Sequence, residues 1–253
     1  MIHQEHLGPV GAELDIRAFG VPYVGSGPAP TYLLLHGVGL SHREFTRLAR
    51  ILSLSGKVLS FDQPGFGATR KPDRKLTVED HAAVIGEKLE ALAVDPVIAV
   101  GHSMGAQFAV ELARQRPDAV SQVVLIGPVV DVANRTMLAQ GLGLLRDSAR
   151  EPPATQFMVM REYFRAGPLW YGKQVAAMFD YPIHLRIKDL AHPLLVIRGE
   201  RDPIAKAEWC HWLSRQVPGG RLSTVPGRRH NVAHSDPDAI AAAIVAFQAA
   251  AIS

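Results

Sequence analysis

Cysteine is almost absent from this chain of 253 residues: Cys210 stands alone, so no internal disulfide can form. A lone thiol fits a reducing compartment, and its position in a helical pattern marks it as buried packing. Long apolar runs are missing too. None approaches the roughly 20 residues that span a bilayer, and residues 1–8 carry His3, Glu5 and His6 where a secretory leader would have an apolar core. The expectation is a cytoplasmic protein with no membrane partner. Charge of one sign is equally scarce, with 27 Lys and Arg against 24 Asp and Glu, and basic runs only at Arg70-Lys71, Arg74-Lys75 and Arg228-Arg229. That balance argues against a nucleic-acid partner. Neither a dinucleotide fingerprint nor a phosphate loop occurs, because Gly65-Phe66-Gly67 lacks the following glycine and the helix start. His230 and His234 have a spacing that suits a metal, but no cysteine or carboxylate cluster completes a site around them. No cofactor and no metal are expected, and the partner is a small-molecule substrate. The sequence carries no sign of the oligomeric state.

With 47% hydrophobic and 20% charged residues, the chain is long and apolar enough for one large core. Short apolar runs at 32–35, 58–61, 97–100, 123–126 and 194–197 read as buried strands, and helical spacing recurs at 44–54, 77–93, 104–116, 205–217 and 237–250. Strands that are apolar at consecutive positions imply a sheet covered on both faces. Their alternation with helices makes it a βαβ series. Local chemistry supports the boundaries: Thr77 can cap a helix with Asp80, Pro117 stops the helix that follows Ser103, and Asp236-Pro237 suits an N-cap and first turn. Residues 12–19 alternate like a half-exposed strand that extends the sheet at one edge, and a turn-rich stretch, 25–30, follows.

Residues 131–190 break the series. They hold helical patterns but no convincing strand, so they read as a helical cap inserted between core segments 1–130 and 191–253. Met137, Phe157, Met158, Met160, Tyr163, Phe164, Trp170, Tyr171, Met178 and Phe179 lie in it. Taken singly, each reads as core packing; as a group they favour the apolar roof of a pocket.

Gly101-His102-Ser103-Met104-Gly105 falls between an apolar strand and a strong helix, where a strained turn can hold a serine hydroxyl out for attack. The small residues at 101 and 105 let the backbone double back without collision. A serine hydroxyl is a poor nucleophile at neutral pH, so it needs a histidine to take its proton and a carboxylate to hold that histidine's tautomer. Asp202 lies in the loop after the strand 194–197, and His230 lies after a short strand at 221–225, so both sit at the sheet edge where open α/β proteins build sites. His234 is the rival base; Asp131 and Glu200 are the rival acids. His36 and His102 read as shaping their turns, and Asp62 as anchoring a loop that lines the site entrance.

Five stretches together resemble the α/β-hydrolase fold family over nearly the whole chain: His36-Gly37, Asp62-Gln63-Pro64-Gly65-Phe66-Gly67, the serine pentapeptide, Gly199-Glu200-Arg201-Asp202-Pro203 and Gly227-Arg228-Arg229-His230. The resemblance implies a mostly parallel, doubly wound α/β sheet with an inserted helical cap. It also implies a Ser103, Asp202, His230 triad and an oxyanion hole made by the backbone amides of Val38 and Met104. Arg228 and Arg229 depart from the family, standing where small residues are common and leaving open whether a positive charge faces the site. The expected activity is hydrolysis of a carboxylic ester, lactone or thioester of a small, largely apolar substrate through an acyl-enzyme. Serine at the elbow, where epoxide hydrolases and haloalkane dehalogenases of the family carry aspartate, disfavours those chemistries. Carbon–carbon bond hydrolases and cofactor-free peroxidase-like members remain alternatives, as does a small-molecule receptor on the same fold.

Overall fold

A computed structural model describes residues 3–5, 15–19, 29–94, 96–132 and 150–250. Residues 12–14, 25–28 and 133–149, the last including Met137, lie outside the described residues.

The apolar runs form the strands. β3 (Thr31–Leu35), β4 (Lys57–Asp62), β5 (Val97–His102), β6 (Val120–Ile126), β7 (Leu194–Gly199) and β8 (Arg221–Val225) are parallel to one another. Two further strands, β1 (His3–Glu5) and β2 (Asp15–Phe19), pair antiparallel at one edge, giving the order β1-β2-β4-β3-β5-β6-β7-β8. The alternating segment thus does extend the sheet. Outside it lies β1, which three residues of polar sequence gave no pattern to find.

Successive side chains of a strand point to opposite faces, and in β3, β5 and β7 both faces are buried. Leu33 and Leu35 pack on one side with α2 (Val78–Ala91), α3 (Met104–Gln115) and Trp209 and Leu213. On the other side Tyr32 and Leu34 pack with α1 (Thr46–Leu52) and the last helix, Pro237–Ala250. This double burial is why the strands carry apolar residues at consecutive positions.

Caps set the helix starts. Thr77 Oγ1 accepts from the Asp80 N–H at 3.2 Å while the Asp80 carboxylate accepts from the Thr77 N–H at 2.9 Å, closing a reciprocal box. The Asp236 carboxylate takes the Ala239 N–H at the start of the last helix. The helix expected over 44–54 is split: a short 3-10 turn, His42–Phe45, leads into α1. The helix expected over 205–217 starts later, at Ala207, and ends at Ser214. Its first residues are held out of the helix by the Asp202 carboxylate, which accepts the Ile204 and Ala205 N–H groups at 2.8 and 2.9 Å.

The strand register brings the functional loops together. Leu35 pairs with Gly101, His102 with Ile126, and Gly199 with Val225, so the carboxyl ends of β3, β5, β6, β7 and β8 finish along one edge. Among the described residues of 150–190 there is no strand; α4 (Pro153–Ala166), α5 (Pro168–Asp180) and α6 (Ile183–Arg186) follow one another there.

Candidate active site

Ser103 stands between β5 and α3 with φ 55° and ψ −117°, a conformation that costs a non-glycine residue about 1 to 3 kcal/mol. Its neighbours make that turn possible. A side chain on Gly101 would run into the Gly105 carbonyl, as the sequence predicts, whereas one on Gly105 would strike the Leu35 carbonyl of β3. The second obstacle is therefore the adjacent strand.

Three side chains meet beside this turn. Ser103 Oγ lies 3.1 Å from His230 Nε2, and His230 Nδ1 lies 2.9 Å from Asp202 Oδ2. All three are buried. Burial would raise the Asp202 pKa, but the His230 charge and hydrogen bond, with the two backbone N–H groups on its other oxygen, hold that carboxyl below the usual range. With a carboxylate acceptor at Nδ1, the neutral imidazole carries its proton there and presents a bare Nε2 to the serine.

Two of the rival residues are engaged elsewhere. His234 Nδ1 meets Thr155 Oγ1 at 2.9 Å, and Glu200 accepts the Gly227 N–H at 2.7 Å, bracing the turn before His230. Asp131 is buried on the loop after β6, but it is Asp202 that holds His230 Nδ1. Arg228 binds the Asp236 carboxylate at 2.8 Å, so its charge is directed to the start of the last helix. Asp62 accepts from the His42 and Ala68 backbone N–H groups at 2.7 and 3.0 Å and so pins the 63–69 loop.

The loop after β3 lies against the serine: a side chain begun at Gly37 would sit 3.2 Å from Ser103 Cβ. The Leu40 N–H closes a turn on the Gly37 carbonyl at 3.2 Å, leaving Val38 at the crest of that turn. Met104 opens α3, where the first backbone N–H groups have no intrahelical acceptor and the helix dipole is positive. His36 is neutral because burial pushes its pKa down; its Nδ1–H donates to the Gly37 carbonyl and its Nε2 accepts the Gln63 N–H.

One residue of this region was not found in the sequence. Glu44, fully buried, accepts the Gly37 N–H at 3.1 Å through one oxygen and meets His102 Nδ1 with the other. His102 Nε2–H in turn donates to the His230 carbonyl at 2.9 Å, so His102 reaches beyond its own turn. Burial would raise the Glu44 pKa, but His102 and the Gly37 N–H hold it below the usual range. A single carboxylate thus ties the loop after β3 to the backbone of His230. In sequence, Ser41-x-x-Glu44 has the spacing of a helix-capping box, which hides this role.

Helices α4 and α5 close over the same loop. A side chain on Gly39 would overlap the rings of Tyr163 and Tyr171, which lie 5.0 Å apart, and Trp170 packs on Gly65 and Phe66. Glu151 accepts the Asn231 N–H at 3.0 Å, next to His230. The apolar group expected to pack inward is divided, however. Met158, Trp170 and Met178 are buried, whereas Phe157, Met160 and Phe164 point to solvent, because α4 is apolar on its outer side as well.

A parallel sheet whose strand-to-helix turn sets a serine against a histidine and a buried aspartate belongs, as a class, with the α/β hydrolases. The sequence pattern of the alpha/beta hydrolase family matches residues 32–243, and the chain belongs to that family. It is 28% identical to a 2-(acetamidomethylene)succinate hydrolase of Mesorhizobium japonicum over 94% of this chain and 95% of that protein. It is 26% identical to a pimeloyl-acyl-carrier-protein methyl ester esterase of Nitrosospira multiformis, covering 89% of this chain and 97% of that one. Among solved structures, the enol-lactonase of Burkholderia xenovorans shares the fold with a TM-score of 0.83 and 22% identity, over 97% of this chain and 100% of that one.

Proposed function

We propose that the protein is a serine hydrolase that cleaves a carboxylic ester, lactone or thioester of a small, largely apolar substrate through an acyl-enzyme on Ser103. The observation that carries this reading is the unbroken chain from Ser103 Oγ to His230 at 3.1 Å and from His230 to Asp202 at 2.9 Å. In the first step Oγ attacks the carbonyl carbon while His230 Nε2 takes the hydroxyl proton, and Asp202 stabilises the imidazolium that forms. The Val38 and Met104 N–H groups receive the negative charge of the tetrahedral intermediate, a role worth about 3 to 4 kcal/mol per donor in other enzymes. Collapse expels the alcohol, which takes its proton from His230. Water then attacks the acyl-enzyme by the same proton path and releases the acid.

Residues 131–190 serve in this reading as a cap whose inner side, with Leu40, Met158, Val159 and Tyr163 in one cluster, gives the acyl group an apolar wall. No cofactor is required by these steps, and the lone, buried Cys210 suits the reducing cytoplasm. The names of two relatives, a methyl ester esterase and an enol-lactonase, are in keeping with attack on an ester carbonyl. A panel of nitrophenyl esters of increasing acyl length, run beside Ser103→Ala, tests the proposal. It expects an optimum at one chain length and a loss of about 10⁴-fold or more in the variant. Hydrolysis that survives in Ser103→Ala contradicts it. Turnover of a diketone but of no ester would assign the same residues to carbon–carbon cleavage.

A further inference from the structure

The outer side of α4 and the start of α5 present four large apolar side chains to solvent: Phe157 is 70% exposed, Met160 52%, Phe164 80% and Leu169 84%. Residues 157, 160 and 164 follow the i, i+3, i+7 spacing of a single helical stripe. The composition around the stripe is as telling as the stripe itself. Every exposed position from 152 to 173 is apolar, a bare glycine or a cation, the cations being Arg161, Arg165 and Lys173. Glu162, the only acid in that stretch, is buried. The neighbouring loop adds Arg70 and Lys71, and a side chain begun at Gly167 would sit 3.5 Å from Lys71 Nζ.

A second copy of the chain would be a poor partner, because a two-fold contact centred on this stripe brings cations toward cations, with no exposed acid from 152 to 173 to pair them. A protein partner ordinarily meets a polar rim of mixed character, and the exposed polar side chains from 152 to 173 are cations alone. Hydrocarbon beside anionic headgroups asks for nothing except apolar groups flanked by cations. We propose that this face lies on an anionic lipid surface, with Phe157, Met160, Phe164 and Leu169 at the acyl boundary and Arg161, Arg165, Lys173 and Lys71 among the headgroups. The expectation of no membrane partner rested on spanning runs, and no helix among the described residues is long and apolar enough to cross a bilayer. Lying on a surface needs only one helix face. The inner side of α4 packs Met158, Val159 and Tyr163 against Leu40, so docking would place the cover of the Ser103 site at the interface. The proposal does not depend on the chemistry assigned to Ser103.

Cys210 is buried and is the only cysteine, so a Phe164→Cys variant of the full chain offers one reactive thiol. That variant, labelled with an environment-sensitive fluorophore, is titrated with vesicles of phosphatidylcholine alone and of phosphatidylcholine mixed with phosphatidylglycerol. The expected results are rapid labelling in the absence of lipid and blue-shifted emission with the anionic vesicles at about tenfold or more lower lipid than with the neutral ones. Adding Arg161→Gln and Arg165→Gln should weaken the response about 25-fold, from roughly fivefold per cation. Sedimentation of unlabelled Phe157→Ser/Phe164→Ser with anionic vesicles should fall about tenfold or more at an unchanged melting temperature. Ser103→Ala should bind vesicles as the unmodified protein does, which separates this test from the hydrolase reading. Slow labelling that shows the face covered by the chain itself would overturn the proposal. So would a dimer by light scattering that protects position 164, binding to a soluble acidic protein with none to anionic vesicles, or equal binding to the two kinds of vesicle.

Discussion

The loops at the carboxyl ends of β5, β7 and β8 adjoin residues 150–190, where Glu151 meets Asn231 and the turn 37–40 lies between Ser103 and Tyr163, yet the two regions are constrained in opposite ways. In the loops the side chains of Ser103, Asp202 and His230 are linked by hydrogen bonds. Asp202 makes three hydrogen bonds, to His230 and to the Ile204 and Ala205 N–H groups. In the helices Met158, Trp170 and Met178 pack inward, and the side of α4 that carries Phe157, Met160 and Phe164 faces solvent. The loops hold atoms in place for a reaction; the helices provide surface. If that division is right, substitutions in the two regions should fail differently.

The largest effect is expected from Asp202→Asn. It keeps the shape of the site but replaces the acceptor at His230 Nδ1, favouring the wrong tautomer, so kcat should fall about 10⁴-fold with little change in KM. Steady-state kinetics on the best ester of the panel checks it. On the helical side, Met158→Ala should cost about 2 to 3 kcal/mol in denaturant unfolding, because Met158 is buried. Phe164→Ser, one helix face away, should change stability by less than about 0.5 kcal/mol. Equal losses from the two would erase the distinction between the inner and outer sides of α4.

Glu44, fully buried, acts on the site through His102 and Gly37. Glu44→Gln should lower kcat about 10- to 100-fold with KM nearly unchanged, the pattern of a positioning residue. Glu44→Asp should recover part of the loss. A loss confined to stability would make the residue merely structural.

His81 concerns how the helices are attached to the core. It joins α2 to α5 by a 2.8 Å bond between its Nε2 and Gln174 Oε1, and burial pushes its pKa from an ordinary 6.5 down to about 4. Below pH 6.5 the unfolded chain binds a proton that the folded chain refuses until about pH 4, so folding stability falls as pH falls through that window. The slope is about 1.4 kcal/mol per pH unit. Between pH 7 and pH 5 the unmodified protein should therefore lose about 2 kcal/mol more than His81→Gln, which keeps a hydrogen-bonding side chain but does not titrate. Parallel slopes for the two proteins would contradict the assignment.

What could be read in the sequence follows the same division. The meeting of Ser103, Asp202 and His230 is legible because Ser103 and Asp202 follow apolar strands and His230 follows the short strand 221–225, and the parallel register brings those strand ends to one edge. Thr77, Pro117 and Asp236 are legible because caps and breakers act locally. Glu44 is not, because its partners His102 and Gly37 come from other elements and its spacing from Ser41 mimics a cap. Nor is the exposure of Phe157, Met160 and Phe164. Periodicity marks a helix face as apolar, but α4 is apolar on two sides, and only packing decides which side the core takes.

The role of Ser103 as the nucleophile is open to a covalent test. The protein treated with a fluorophosphonate should gain the mass of one phosphonyl group, with peptide mapping placing it on Ser103 and Ser103→Ala gaining none. An adduct on another residue, or labelling that persists in Ser103→Ala, would rule out Ser103 as the nucleophile.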